Sequence, residues 1–373
     1  MAGIYIHIPF CKKACHYCNF HFSTSKKLLP QFINAITKEA ELQKLFFSET
    51  VETIYFGGGT PSIIETIDLE KILTAIHKYY AVDSNAEITL EANPDDISEV
   101  KLIEWKSLGI NRISLGIQSF VEEELSWMNR SHTASQAIQS IELIKNHFDN
   151  YSIDLIFGSP LLTKELWIKN IRQALVFQPP HLSCYALTIE EKTVLGNWLK
   201  NKKIAPINND QQAEQFEILM GELETNNYLH YEISNYAKPG FESKHNSSYW
   251  QGKKYLGLGP SAHSFNGKSR FWNVANNALY ISGIENGTSV SEVEHLTTEQ
   301  QFNEYIMISL RTSDGINENF VIKNWNEKTY QHFNFKIQNW LKTNHLERKN
   351  YQITLTQKGK LFADGIAADF FLI

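Results

Sequence analysis

A chain of 373 residues, 42% of them hydrophobic and 20% charged, is long enough for one large globular domain and a smaller one. Its formal net charge of −6 excludes a general affinity for nucleic acid, which needs clustered Lys and Arg, and four cysteines in such a length exclude a disulfide framework. A membrane-spanning helix is excluded as well: the longest run without Asp, Glu, Lys or Arg, Gln173 to Ile189, contains Pro179, Pro180 and His181.

No basic segment leads into an apolar one at the start, so no signal peptide is expected and the expected compartment is the cytoplasm. Ile4, Ile6 and Ile8 alternate with other residues and predict a first strand stopped by Pro9. A helix is predicted over Leu28 to Phe47, where Phe32, Ile33, Ile36, Ala40 and Leu45 form one stripe. Thr53 to Phe56 predicts a second strand, closed by Gly57-Gly58-Gly59-Thr60-Pro61, and a helix follows over Asp68 to Tyr80. Strands at Ile88–Ala92, Arg112–Ile117, Ser152–Phe157 and His181–Leu187 then alternate with helices at about Ser98–Leu108, Thr133–His147 and Lys164–Phe177. The strands are short and apolar without alternation, as strands buried on both faces are. Strand then helix, about six times over, predicts an α/β fold with a parallel sheet and right-handed crossovers. Polar and glycine-rich turns gather at the carboxyl ends of the strands, which favours a barrel with its active face there.

Asp210 to Asn226 predicts a long helix, and Tyr228 to Tyr236 reads as strand-like. From Pro239 to Asn277 the texture is loop-rich and aromatic. From Thr297 two or three helices precede a hairpin at Leu346–Leu355 and a last helix at Gln357–Phe370, an order that reads as a winged-helix-like module. Its charge is mixed, with no basic stripe for DNA.

Three of the four cysteines, Cys11, Cys15 and Cys18, fall within eight residues on the loop that leaves the first strand. Three closely spaced thiolates suit a soft metal or an iron–sulfur cluster. A structural zinc normally takes four protein ligands, and Cys184 lies inside the sixth strand, where a buried core role is expected. Three thiolates hold three irons of a cubane and leave the fourth iron open.

Cys-x-x-x-Cys-x-aromatic-Cys after a first strand, with Gly-Gly-Thr-Pro after the second, resembles the radical S-adenosylmethionine (SAM) superfamily. The resemblance implies a partial (β/α)6-type barrel, a 4Fe–4S cluster on Cys11, Cys15 and Cys18, and SAM chelated to the open iron and cleaved to a 5′-deoxyadenosyl radical. More residues resemble the subgroup containing the coproporphyrinogen III dehydrogenase HemN and the heme chaperone HemW. By that likeness Tyr5, Tyr17, Gly58, Gly59, Thr60, Glu91, Gln118, Arg130 and Asp154 contact SAM. The residue types fit: carboxylates accept from ribose hydroxyls and an ammonium, and an arginine pairs a carboxylate.

Two features separate the branches. Dehydrogenases carry a further cysteine two places after the third ligand, where this sequence has Phe20, and an extension ahead of the first strand, where this sequence starts at once. Conversely, His245-Asn246-Ser247-Ser248-Tyr249-Trp250 matches the His-Asn-x-x-Tyr-Trp motif of the heme chaperones, so His245, Tyr249 and Trp250 are the candidate heme contacts. His263 and Arg270-Phe271-Trp272 add polar and aromatic groups to the same region, as a pocket mouth or as packing, while His7, His16 and His21 surround the cluster loop without ligand roles. The resemblance thus implies a radical SAM core over residues 1–237, a loop-rich linker over 238–290 and a winged-helix-like domain over 291–373. It implies heme binding and delivery to acceptor hemoproteins, respiratory ones among them, with peripheral membrane contact through the acceptor and a separate electron donor. The alternative is oxygen-independent coproporphyrinogen III dehydrogenation.

Overall fold

Six parallel strands carry the site. In the computed structural model, which describes residues 2–372, they are β1 (Ala2–Ile8), β2 (Val51–Gly58), β3 (Val82–Ala92), β4 (Arg112–Gln118), β5 (Tyr151–Phe157) and β6 (His181–Ala186). They pair in sequence order, β1 to β6, each parallel to the next. Apart from exposed ends at residues 83–85 in β3 and 185–186 in β6, their residues are buried on both faces, and in β1 only Tyr5 is even half-exposed. This is why the strands lack alternation. Helices Leu29–Leu42, Thr66–Tyr79, Glu99–Ser107, Ala134–His147 and Lys164–Val176 cross over between them, and one continuous apolar core fills the space inside.

The first of these helices ends at Leu42, so Leu45, expected on its buried stripe, lies beyond it and is exposed. The strand-like stretch from Tyr228 is a hairpin, β7 (Leu229–Glu232) and β8 (Asn235–Ala237), whose second strand pairs antiparallel with β6.

Residues 238–290 differ from a loop-rich linker. They begin with helix Lys244–Trp250, and then β9 (Lys254–Leu258) joins the other edge of the sheet, parallel to β1. An antiparallel meander follows: β10 (His263–Phe265), β11 (Ser269–Asn273) and β12 (Ser291–His295). The result is a twelve-stranded open sheet with β12 and β7 as its edges, a partial rather than a closed barrel. The strands after β8 escaped sequence reading because they are short, partly exposed and interrupted by Gly, Asn and Ser.

The C-terminal module has its own core. Phe302, Ile306, Val321, Phe333, Ile337 and Ile353 pack between helices Thr298–Leu310, Glu318–Asn324 and Glu327–Lys342 and a three-stranded sheet. That sheet orders β13 (Ile316–Asn317), β15 (Gln352–Leu355) and β14 (Leu346–Lys349), a winged-helix-like arrangement. Arg311 fastens the module to the sheet: its guanidinium bonds Glu232 at 3.0 Å and Asp364 at 3.0 Å and lies 5.2 Å from the Trp250 ring. Among the described residues no helix is long and apolar enough to cross a membrane.

Candidate functional site

The cysteine loop is a fixed platform at the carboxyl end of β1. Its base is closed by two backbone bonds, Cys11 N–H to Ser23 O (3.0 Å) and Ser23 N–H to Pro9 O (2.8 Å). Its far side docks on the segment after β4, where His16 N–H donates to Met128 O (3.1 Å) and Asn129 Nδ2 donates to Ala14 O (2.8 Å). The Lys12 ammonium is held by Asp95 at 2.8 Å and by Asp96. All four cysteines are free thiols, and Cys184 is buried in β6 away from the loop.

Burial pushes the Cys11 thiol up to about 11 and raises Cys18 as well. The neighbouring thiols add to the rise in both, while the Arg130 guanidinium opposes it. The donor set fits a cluster: three mutually interacting thiols, no fourth cysteine near, and a cation against them at 3.4 Å, from Arg130 Nη1 to Cys15 Sγ. Among the described residues no three His, Cys, Asp or Glu side chains converge on a single-ion site. A cubane asks for no such convergence, since each thiolate binds a different iron.

The glycine turn after β2 is tied to this platform. Gly59 N–H donates to Ile8 O (2.9 Å), Thr60 N–H to Phe10 O (2.8 Å) and Gly58 N–H to Glu91 Oε2 (3.2 Å). With those N–H groups spent, the turn has carbonyl oxygens left to offer an ammonium. Gly58 has a φ of +106°, and a Cβ there would stand 2.5 Å from the His7 ring; a Cβ on Gly59 would meet the Ile8 and Phe10 carbonyls at 2.8 Å. Both positions therefore require glycine.

Glu91, Gln118, Arg130 and Asp154 lie around the same space. Glu91 accepts from Tyr55 Oη at 2.8 Å. Burial, opposed by that bond and reinforced by the Asp154 carboxylate, pushes it up to about 7. Asp154 accepts from Ser114 and Ser152 hydroxyls, each at 2.9 Å, and burial raises it too. Arg130 donates through Nη2 to Asn93 Oδ1 (2.7 Å) and Gly116 O (2.8 Å), and through Nη1 to Tyr17 Oη (3.2 Å), which leaves its buried Nε–H without a partner. An unspent guanidinium donor beside the thiols suits a carboxylate. Gln118 has the left-handed φ of +66°, so it departs from the strand and turns its amide towards Gly116.

Two residues that sequence reading missed hold the motif helix in place. Glu87, buried in β3, accepts from the backbone N–H groups of Lys244 (3.1 Å) and His245 (3.0 Å) and faces the Arg112 guanidinium at 3.9 Å. Part of the signal was there: Arg112 is a charge at the start of a strand read as doubly buried, whereas Glu87 fell one residue ahead of the strand read at Ile88–Ala92. The helix carries His245 into the barrel interior, where it is 1% exposed and stacks on Tyr55 at 4.9 Å. Its Nδ1 bonds Thr53 Oγ1 (2.8 Å) and its Nε2 bonds Tyr249 Oη (2.8 Å), so neither nitrogen is open to a ligand. Burial, with help from Arg112, lowers it to about 3. In this placement His245 lies behind the Tyr5 and Tyr55 rings and stacks on both.

Tyr249 and Trp250, in contrast, reach a cavity of about 1650 Å³. It runs from Tyr5 and His7, beside the cluster platform, to the C-terminal module. Its walls are rich in rings: Phe20, Tyr249, Trp250, Trp272, Tyr305 and Phe320. Phe20 is 68% exposed at this wall, and the Trp250 indole N–H is buried without an acceptor.

Residues 5–173 match the family model of the radical SAM superfamily. The heme chaperone HemW of Bacillus subtilis is 33% identical over 99% of this chain and 99% of its own length. That of Synechocystis is 34% identical over 84% of this chain and 78% of its own. Among solved structures, the coproporphyrinogen III oxidase HemN of Escherichia coli, described as a radical SAM enzyme, superposes with a TM-score of 0.85 at 20% identity, covering 99% of this chain and 90% of that one. At that identity the likeness shows the fold alone.

Proposed function

Because the chain belongs to the HemW family of the radical SAM superfamily, we propose that it binds heme beside a 4Fe–4S cluster and passes it to acceptor hemoproteins. The observation that carries this reading is the ring-lined cavity of about 1650 Å³ that begins at the cluster platform. A porphyrin is a flat, largely apolar disc with anionic edges. Rings suit its faces, and Lys323 on the wall suits a propionate, with Arg270 beside it in an ion pair with Glu304 at 2.6 Å.

In this proposal Cys11, Cys15 and Cys18 hold the cluster and Arg130 takes the SAM carboxylate through its spare N–H. The turn carbonyls from Gly58 to Thr60, with Glu91 and Asp154, take the ammonium and the ribose hydroxyls, while Tyr5, Tyr17 and Gln118 close the pocket. When bound, cluster and SAM supply an electron and the 5′-deoxyadenosyl radical that the superfamily draws from them. Tyr249 and Trp250 form part of the heme wall. The setting we propose is the cytoplasm, with an electron donor and respiratory acceptors that bring the protein to a membrane surface.

The reading prefers a chaperone to a coproporphyrinogen dehydrogenase because Phe20 occupies the cavity wall where dehydrogenases keep a cysteine. Titration of the reconstituted protein with hemin tests it: a saturating Soret band at about one heme per chain is expected. Absence of binding, together with conversion of coproporphyrinogen III, would overturn it.

A further inference from the structure

If heme occupies the cavity, its iron needs an axial donor, and His245 is closed off. Three other imidazoles line the wall: His7, His21 and His263. His7 is spent, with Nε2 on the His21 carbonyl (2.8 Å) and Nδ1 on Tyr5 Oη (3.2 Å). His21 is turned to Asn277, Nε2 to Oδ1 at 2.7 Å, and stacks on His7 with ring centres 6.2 Å apart. His263 is different. It is exposed, and neither ring nitrogen has a hydrogen-bond partner among the described residues.

Its mounting is rigid. His263 opens β10, where alternation buries Ala262 and Ser264 and turns His263 and Phe265 to the cavity. It pairs across the ladder with Trp272, ring centres 6.4 Å apart. The turn before it is pinned by buried Glu39, which accepts from Gly259 N–H (2.8 Å), Asn273 Nδ2 (2.7 Å) and Tyr280 Oη (2.6 Å). A free imidazole on a fixed strand, with an indole beside it, is the arrangement an iron porphyrin needs: a lone pair for the metal and a flat wall for the ring.

We propose that His263 is the axial ligand of the heme iron, an inference that rests on the heme-binding reading above. The step is coordination of a neutral imidazole, with no proton or electron transferred. Partial burial and the nearby Arg270 lower the affinity of His263 for a proton.

The test compares wild type, His263→Ala and His21→Ala, each as the full chain with reconstituted cluster, titrated with hemin and with metal-free protoporphyrin IX. His263 is exposed, so its loss leaves the fold intact, which circular dichroism checks. The expected result is about tenfold or greater weakening of hemin binding and loss of the nitrogen-ligated ferric spectrum in His263→Ala. Added imidazole should restore the spectrum, and affinity for the metal-free porphyrin should not change. An unaltered hemin spectrum in His263→Ala, or the loss appearing in His21→Ala instead, overturns the ligand assignment while leaving heme binding standing. Failure of wild type to bind hemin overturns both.

Discussion

Arg130 lies where the pieces of the site meet. It touches Cys15, Tyr17, Asn93 and the Gly116 carbonyl, and still has one buried N–H to give. At this scale the cluster residues were legible in the sequence, because a tight cysteine spacing is a local signal. Cys15→Ala should abolish the cluster, so that anaerobic reconstitution, which should give wild type about four irons and a brown colour, leaves the variant near zero by iron assay. Retention of one tightly bound zinc by a colourless wild type would contradict the cluster.

Glu91 supports a prediction on pH. Its carboxyl is raised in the folded protein to about 7 from an ordinary 4.5, chiefly by burial, so between those values the folded state binds more protons than the unfolded one. Stability of the ligand-free protein should therefore be greatest below the lower value and fall as pH rises through the upper one. Urea unfolding at a series of pH values should show this decline, and Glu91→Gln should flatten it. A variant with the wild-type slope would remove Glu91 as its source.

At the scale of elements, the six parallel strands and their helices were readable because burial on both faces leaves a local mark, an unbroken apolar run. The position of His245 was not readable. Its bond to Thr53 spans 192 residues, and nothing near His245 marks it for the barrel interior. The same is true of β9, which reaches β1 from the far end of the sheet. The motif helix is held by Glu87, so Glu87→Ala should strip the acceptor from two backbone N–H groups and leave Arg112 buried without a counter-charge. The cost is on the order of 3 kcal/mol, read as a lowered Tm. Weaker hemin binding should accompany it, because Tyr249 and Trp250 lose their footing, while Glu87→Gln, which keeps the acceptor oxygen, should be milder. Unchanged stability in Glu87→Ala would show that the helix is held elsewhere.

For the molecule as a whole, the cavity belongs to no single element. Its walls come from the cluster loop, the motif helix, the β9–β12 extension and the C-terminal module that Arg311 latches to the sheet. The sequence could not display it, since it exists only once segments some three hundred residues apart are packed together. Its position, opening beside Tyr5 and His7 and walled by Phe20, couples the cluster platform to a chamber for a flat ligand. The most direct measurement is handover. Protein loaded with heme and freed of excess by gel filtration is mixed with a heme-free respiratory hemoprotein, and the absorption of both is followed after separation. Movement of heme to the acceptor, without conversion of coproporphyrinogen III by the same sample, is the predicted result. Heme that stays with the donor, alongside turnover of coproporphyrinogen III, would contradict the account.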